Sequence, residues 1–310
     1  MLKLPTLLTL LTLLFLTLFH MLISASDVMK LRAQTGAGMM DCKNALEEAA
    51  GDMEKAGEIL RKKGVIKAAK RADKIAADGL VTGIVSADKK IGVLVEVNCE
   101  TDFVAKSEDF TAFSKHIAEA VLKHNPADLA ALHTINLPVG KTIEGLAGEL
   151  TLKIGEKVSV RRFVRYETSG QAVVYLHGAK IGVLADLTGG DAALASDIAM
   201  HIAASNPKFL NRAAVDPALV AKEKEIYAEQ LKTAGKPANI IENILKGKID
   251  KFYGEICLLE QSFIKNEDLT VEKLVADKGA AINRYARFEL GEGIEKEVKD
   301  FAAEVAEQLK

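Results

Sequence analysis

Apolar residues recur at helical spacing through residues 26–64, switch to strand-like alternation near Val81, and return to long helical runs after Pro217. Val28 and Leu31 mark a first short helix, capped by Ser26 or Asp27 and closed by Thr35-Gly36-Ala37-Gly38. Ala45, Leu46 and Ala49 mark a second, starting near Met39 and ending at Gly51-Asp52. A third runs from Met53 through Ile59 and Leu60. Arg61-Lys62-Lys63 fill its last turn, where cations complement the helix dipole, and Gly64 reads as its left-handed stop. So small a bundle has too little core for chemistry, and residues 21–66 read as a docking unit.

Residues 67–78 are basic and alanine-rich, a helix or linker leading into strands. Residues 81–85 and 91–97, joined at Asp88-Lys89-Lys90, predict an antiparallel hairpin. Phe110, Phe113, Ile117 and Val121 then share one face of a helix over 110–122. The pattern repeats: Lys90-Ile91-Gly92-Val93-Leu94 recurs as Lys180-Ile181-Gly182-Val183-Leu184, preceded by the strand Val173-Val174-Tyr175-Leu176 and followed by a helix around Met200-His201-Ile202. An internal duplication follows. It predicts an α+β core with antiparallel sheets in two halves, residues 67–165 and residues 166–212 with 263–288. A further strand is expected from Ile154 to Phe163. Residues 213–262 are helical and charged and break at Gly235-Lys236-Pro237, as in an inserted antiparallel helical arm. Residues 289–310 form a C-terminal module, whose helix carries Val298, Phe301, Ala302, Val305 and Leu309.

Composition removes several classes of function. Lys+Arg 41 against Asp+Glu 43 leaves a formal charge of -2 over 310 residues, without the basic excess that nucleic acid requires. Trp is absent and aromatics make up 5%, too few for a base-stacking surface. Cys42, Cys99 and Cys257 are far apart, form no CxxC pair, and read as reduced thiols of a cytoplasmic protein. The histidines show neither HxxxH nor HExxH spacing, so no metal site is expected. Gly140-Lys141-Thr142 supplies the end of a phosphate-binding loop, but Ile135 stands where its first glycine must be. These exclusions favour a binding protein without cofactors over an enzyme. The apolar run Leu7–Leu18 behind Lys3 has the outline of a secretory signal without a clean cleavage site. Residues 1–20 are expected to be a leader upstream of the true initiator, Met21; an exported chain is the rival reading.

The most informative stretch is Glu96-Val97-Asn98-Cys99-Glu100-Thr101-Asp102-Phe103-Val104-Ala105-Lys106, an apolar strand leading through an acidic, aromatic tip toward a helix. Burying a phenylalanine is worth about 1.5–3 kcal/mol, so either the fold's own core or a partner takes Phe103. Together with residues 35–43, 177–184 and 287–293, this stretch resembles the bacterial elongation factor Ts family, over the chain from Ser26 onward.

The resemblance implies a guanine-nucleotide exchange factor, without covalent chemistry, for elongation factor Tu in its GDP-bound and nucleotide-free states. It also implies a ubiquitin-associated-like N-terminal domain of three helices, a two-part core, an inserted helical hairpin and a C-terminal module. By the same resemblance Thr101, Asp102, Phe103 and Val104 enter the partner near its magnesium site. His177 and Gly178 meet another of its domains, and Met39 and Met40 are adaptable contacts. Direct nucleic-acid or membrane binding is not expected; the arm is a candidate surface for a homodimer. Two further rivals are a docking module for nascent or ubiquitin-like chains and a thiol enzyme using Cys99. The second is weakened by Glu100 and Asp102, since carboxylates raise a thiol's pKa.

Overall fold

The computed structural model describes residues 23–234 and 237–295. The expected leader, the Gly235-Lys236 break and the helix at 298–309 lie outside the described residues. Three helices come first: α1 (Ala25–Thr35), α2 (Met39–Glu48) and α3 (Met53–Lys70). Ser24, rather than Ser26 or Asp27, caps α1, its hydroxyl accepting from the Asp27 N–H at 3.1 Å. The expected stop at Gly64 is wrong, because α3 continues to Lys70. Gly64 serves close packing instead. A Cβ there would lie 2.9 Å from the Gly148 carbonyl oxygen, on a helix of the core.

The chain continues through β1 (Asp78–Val85), β2 (Ile91–Cys99), α4 (Asp102–Ala105), α5 (Glu108–His124) and α6 (Leu129–His133). Next come α7 (Ile143–Ile154), β3 (Ser159–Glu167), β4 (Gln171–His177), β5 (Ile181–Thr188) and α8 (Ala192–Ser205). The strand expected from Ile154 therefore starts later. Thr142 caps α7, Gly155 ends it in the left-handed region, and Ile154 is its last residue. The arm is α9 (Pro217–Thr233) against α10 (Ala238–Ile256), with Asp216 as cap and Pro217 in the first turn. Its base is stitched shut where Lys208 N–H and Phe209 N–H both donate to the Ile256 carbonyl. The small hairpin β6 (Ser262–Phe263) and β7 (Asn266–Thr270), then α11 (Val271–Asp277), lead to β8 (Ala281–Glu289).

Two three-stranded antiparallel sheets form, in the orders β1-β2-β3 and β4-β5-β8, beside the two-stranded β6-β7 pair. The middle strands β2 and β5 are buried on both faces, hence their nearly unbroken apolar runs. On β2, Val93, Val95 and Val97 face Phe110, Phe113, Ile117 and Val121 of α5. On β5, Val183, Ala185 and Leu187 face Leu194, Ile198 and Ile202 of α8. The alternate residues meet between the sheets, where Val81, Leu94, Ala172, Leu184 and Phe288 cluster. Both copies of the repeated pentapeptide contribute the same contact. A Cβ at Gly92 would overlap Leu184 Cδ1, and one at Gly182 would lie 2.5 Å from Val81 Cγ1 and 3.0 Å from Leu94 Cδ2.

The halves are also clasped by charge. Register shifts fall after Glu96 in β2 and after Asp186 in β5, and both carboxylates are buried. Glu96 accepts from Arg161 Nη1 at 2.9 Å, Arg162 Nε at 2.5 Å and the Gly291 N–H at 2.9 Å. Asp186 accepts from the Thr168 hydroxyl at 2.6 Å, Asn283 at 2.9 Å and Arg284 at 3.0 Å. The two arginines then cross between sheets, Arg162 stacking on Phe288 and Arg284 on Tyr166. Gly291 adopts φ +72, and a Cβ there would lie 2.6 Å from the Ala77 carbonyl oxygen, so only glycine fits.

Replacing Leu184 with Ala should cost about 2–5 kcal/mol, and Gly92→Val about 1–3 kcal/mol by overpacking, both read by urea unfolding. Burial alone would raise the Glu96 pKa, but the Gly291 N–H and the two guanidinium groups outweigh it and hold the carboxyl low. A depressed folded pKa stabilises the fold above the ordinary carboxylate range, and that contribution is lost as pH falls through the folded value. Glu96→Gln should therefore cost roughly 3 kcal/mol near neutral pH, with the gap to the parent narrowing as acid is added.

Candidate functional site

Strand β2 ends at Cys99, and the chain turns through Glu100 into the four-residue helix α4. Thr101 is its N-cap, in extended backbone, with its hydroxyl 3.5 Å from the Val104 N–H. That cap is long. The firmer hold comes from Glu156, just past α7, which accepts both the Thr101 N–H at 2.9 Å and the Thr101 hydroxyl at 2.8 Å. Cys99 Sγ lies 3.1 Å from the Thr101 carbonyl oxygen beneath them.

The helix geometry sorts the tip residues into two groups. Val104 and Ala105 turn inward and join the cluster of Val97, Phe110 and Phe113. Phe103 turns outward and is 81% exposed. Val104, expected at the partner surface, is thus an anchor with 8% exposure. Asp102 is exposed and pairs with Lys106 at 2.6 Å. The Lys106 ammonium holds its carboxyl below the usual range, and Lys180 of the second hairpin adds to the effect.

That second hairpin turn lies close by, since the Ala179 carbonyl accepts from the Val81 N–H at 2.9 Å. His177 is exposed at the end of β4, with Tyr175 stacked beside it at 6.4 Å. Gly178 takes φ +60, and a Cβ there would meet open space. Met39 and Met40 are exposed in the first turn of α2, on the three-helix unit. One link from that unit toward the tip runs through the end of α7, where Lys153 packs on Gly36 and pairs with Asp109 at 2.7 Å. Sequence reasoning missed Glu156 and its neighbour Lys157; the triplet Gly155-Glu156-Lys157 was visible only as part of an expected strand.

The thiol beside the tip is poorly suited to nucleophilic chemistry. Burial pushes Cys99 up to about 12, with Glu156 and Asp78 adding to the shift. Among the described residues no group of three His, Cys, Asp or Glu side chains could hold a metal ion, and no helix is long and apolar enough to cross a membrane. The tip is thus an exposed aromatic side chain on a base fastened into the core.

Comparison with known proteins gives the lineage. The sequence model of the family described as "Elongation factor TS" matches residues 100–292. Elongation factor Ts of Methylococcus capsulatus is 48% identical over 291 residues, covering 94% of this chain and 99% of the relative. The Thiobacillus denitrificans protein of that name is 51% identical, covering 93% and 99%. That of Thioalkalivibrio sulfidiphilus is 50% identical, covering 94% and 99%. The chain belongs to the elongation factor Ts family.

All three cysteines are buried, and burial raises Cys42 and Cys257 as it does Cys99. A raised thiol pKa leaves little thiolate near neutral pH. An alkylating reagent at about pH 8, near the ordinary thiol pKa, should therefore label the folded protein slowly. Labelling at all three positions should follow denaturation, and mass spectrometry distinguishes the two cases.

Proposed function

We propose that this translation elongation factor, a nucleotide-exchange factor for elongation factor Tu, drives GDP release by inserting Phe103 beside the partner's magnesium and phosphate site. The observation that carries the reading is the 81% exposure of Phe103 on a corner whose neighbours Val104 and Ala105 are locked into the core. GDP is held by phosphate contacts and by Mg²⁺ together, so a wedge that parts the shell around the metal weakens both. Burying Phe103 in the partner returns about 1.5–3 kcal/mol, which offsets the distortion it imposes. Asp102 arrives as a carboxylate, its pKa held further below the usual range by the Lys106 ammonium. It favours an arrangement in which the partner's cationic groups turn from the phosphates toward the factor.

His177 and Gly178 form a second contact on the same side of the core, to another domain of the partner. The three-helix unit, ubiquitin-associated-like in this reading, docks through Met39 and Met40, whose flexible thioethers suit an adaptable surface. The factor binds both the GDP-bound and the nucleotide-free partner, more tightly the latter. By linkage, GDP weakens factor binding by the same ratio as the factor weakens GDP binding. No bond is made or broken in this cycle.

Stopped-flow release of a fluorescent GDP analogue from elongation factor Tu tests the wedge. Phe103→Ala should slow factor-stimulated release by about 10-fold or more, the equivalent of some 1.4 kcal/mol. Its melting temperature should stay that of the parent, since the side chain lies outside the core. Unchanged release would remove Phe103 from the mechanism.

A further inference from the structure

The corner that carries the tip is tied down by an exchange of carboxylates. Glu100, just before the tip, accepts the Lys157 N–H at 2.6 Å, while Arg71 grips it through two donors at 2.8 and 2.9 Å. Glu156, just before Lys157, accepts the Thr101 N–H and hydroxyl. Each glutamate thus holds the backbone N–H of the residue that follows the other. Lys157 Nζ completes the ring by donating to the carbonyls of Ala72 at 2.5 Å and Lys74 at 3.1 Å, in the segment leaving α3.

We infer that Glu156 is a positioning residue for nucleotide exchange: by fixing Thr101 it fixes the direction in which Phe103 is presented. Arg71 and Lys157 extend that control to the end of α3, tying the tip to the three-helix unit. The inference rests on the reading of Phe103 as the wedge. Its physical ground is that Val104 and Ala105 anchor α4 from below but leave its start loosely held. One turn of helix is unstable alone, the Thr101 cap is long, and an exposed Phe103 has no core contact to aim it. Glu156 supplies the constraint at that start. Its two bonds hold the backbone and side chain of one residue at once, which removes a free rotation about the start of the helix. The Thr101 hydroxyl gives its proton to Glu156 and keeps its lone pairs for the cap, so the two functions do not compete. A wedge held in its entering direction before contact loses less freedom on insertion.

The test uses the full chain, its Glu156→Ala, Glu156→Gln and Phe103→Ala variants, and the Phe103→Ala/Glu156→Ala double variant. GDP release from elongation factor Tu is followed to saturation in factor. Glu156→Ala should lower the maximal release rate about 10-fold and move the half-saturating concentration less than about 3-fold, because a misdirected group costs rate more than docking. Glu156→Gln, which keeps an acceptor for the Thr101 N–H, should recover much of the rate. The double variant should be no slower than Phe103→Ala, since Glu156 acts through Phe103. Amide hydrogen exchange over residues 100–106 should speed up about 10-fold in Glu156→Ala and stay unchanged across β2 and α5.

A Glu156→Ala protein with parental maximal rate would overturn the inference, and so would losses that add in the double variant. Should Glu156→Ala fail to fold, a parental rate in Thr101→Val, which loses the hydroxyl that Glu156 holds, would overturn it equally. The wedge reading fails separately: Phe103→Ala would then match the parent, whatever Glu156 does to the amides.

Discussion

Two absent side chains set the spacing of this molecule. At Gly92 and Gly182 the central strands of the two sheets lack a Cβ, and into each gap goes a leucine of the opposite sheet, Leu184 and Leu94. Because the contact is made twice, by the same pentapeptide in two copies, it fixes both the distance and the relative rotation of the halves. Other features follow from that fixed geometry. Arg162 can reach Phe288, and Arg284 can reach Tyr166, only because the sheets lie face to face at this separation. The Lys89 carbonyl accepts from the Ala172 N–H and the Ala179 carbonyl from the Val81 N–H, so each hairpin turn is pinned by the other half. The turn bearing His177 and Lys180 is thereby held near the corner bearing Asp102 and Phe103.

An exposed phenylalanine is tolerable here because it stands alone on a charged corner. Asp102, Lys106 and Glu108 surround it in sequence, and single exposed apolar residues carry little risk of aggregation compared with broad patches. The base beneath it is unusually well fastened for a loop. Val104 and Ala105 anchor it below, Glu156 holds its start, and Ser107 begins the next helix at once. Loops carry function when a rigid scaffold aims them, and this one is aimed from three directions.

Much of this was legible from residue order. The hairpins, the amphipathic α5, the repeated half and the exposed aromatic all have one-dimensional signatures: alternation, helical spacing, identity at a fixed shift, and a Phe between charged residues. The errors share a cause. Gly64 has the sequence signature of a helix stop, yet its role is close approach to Gly148, a neighbour defined only by the fold. Helix α7 carries Gly145, Gly148 and Thr151, poor helix formers, and its stability comes from burial of Ile143, Leu150 and Leu152. Val104 was grouped with Phe103 by the resemblance, whereas the helical turn points Phe103 outward and Val104 into the core. Glu156 lies 55 residues from Thr101 and could be recognised only once both strand ends were in place.

The clasp at Glu96 also has a consequence for how the chain is made. Its partner Gly291 lies 195 residues downstream, so a ribosome adding 5–20 residues per second leaves Glu96 without that partner for roughly 10–40 s. Strand β8, which closes the second sheet and supplies Phe288, comes late as well. The first sheet and its helix can form early, but the face it turns toward its twin is fully covered only once β8 has been made. A chain released before that point would lack Phe288 against Leu94 and Val81 and the Gly291 N–H on Glu96. An unfinished chain therefore differs from a finished one at the seam between the sheets.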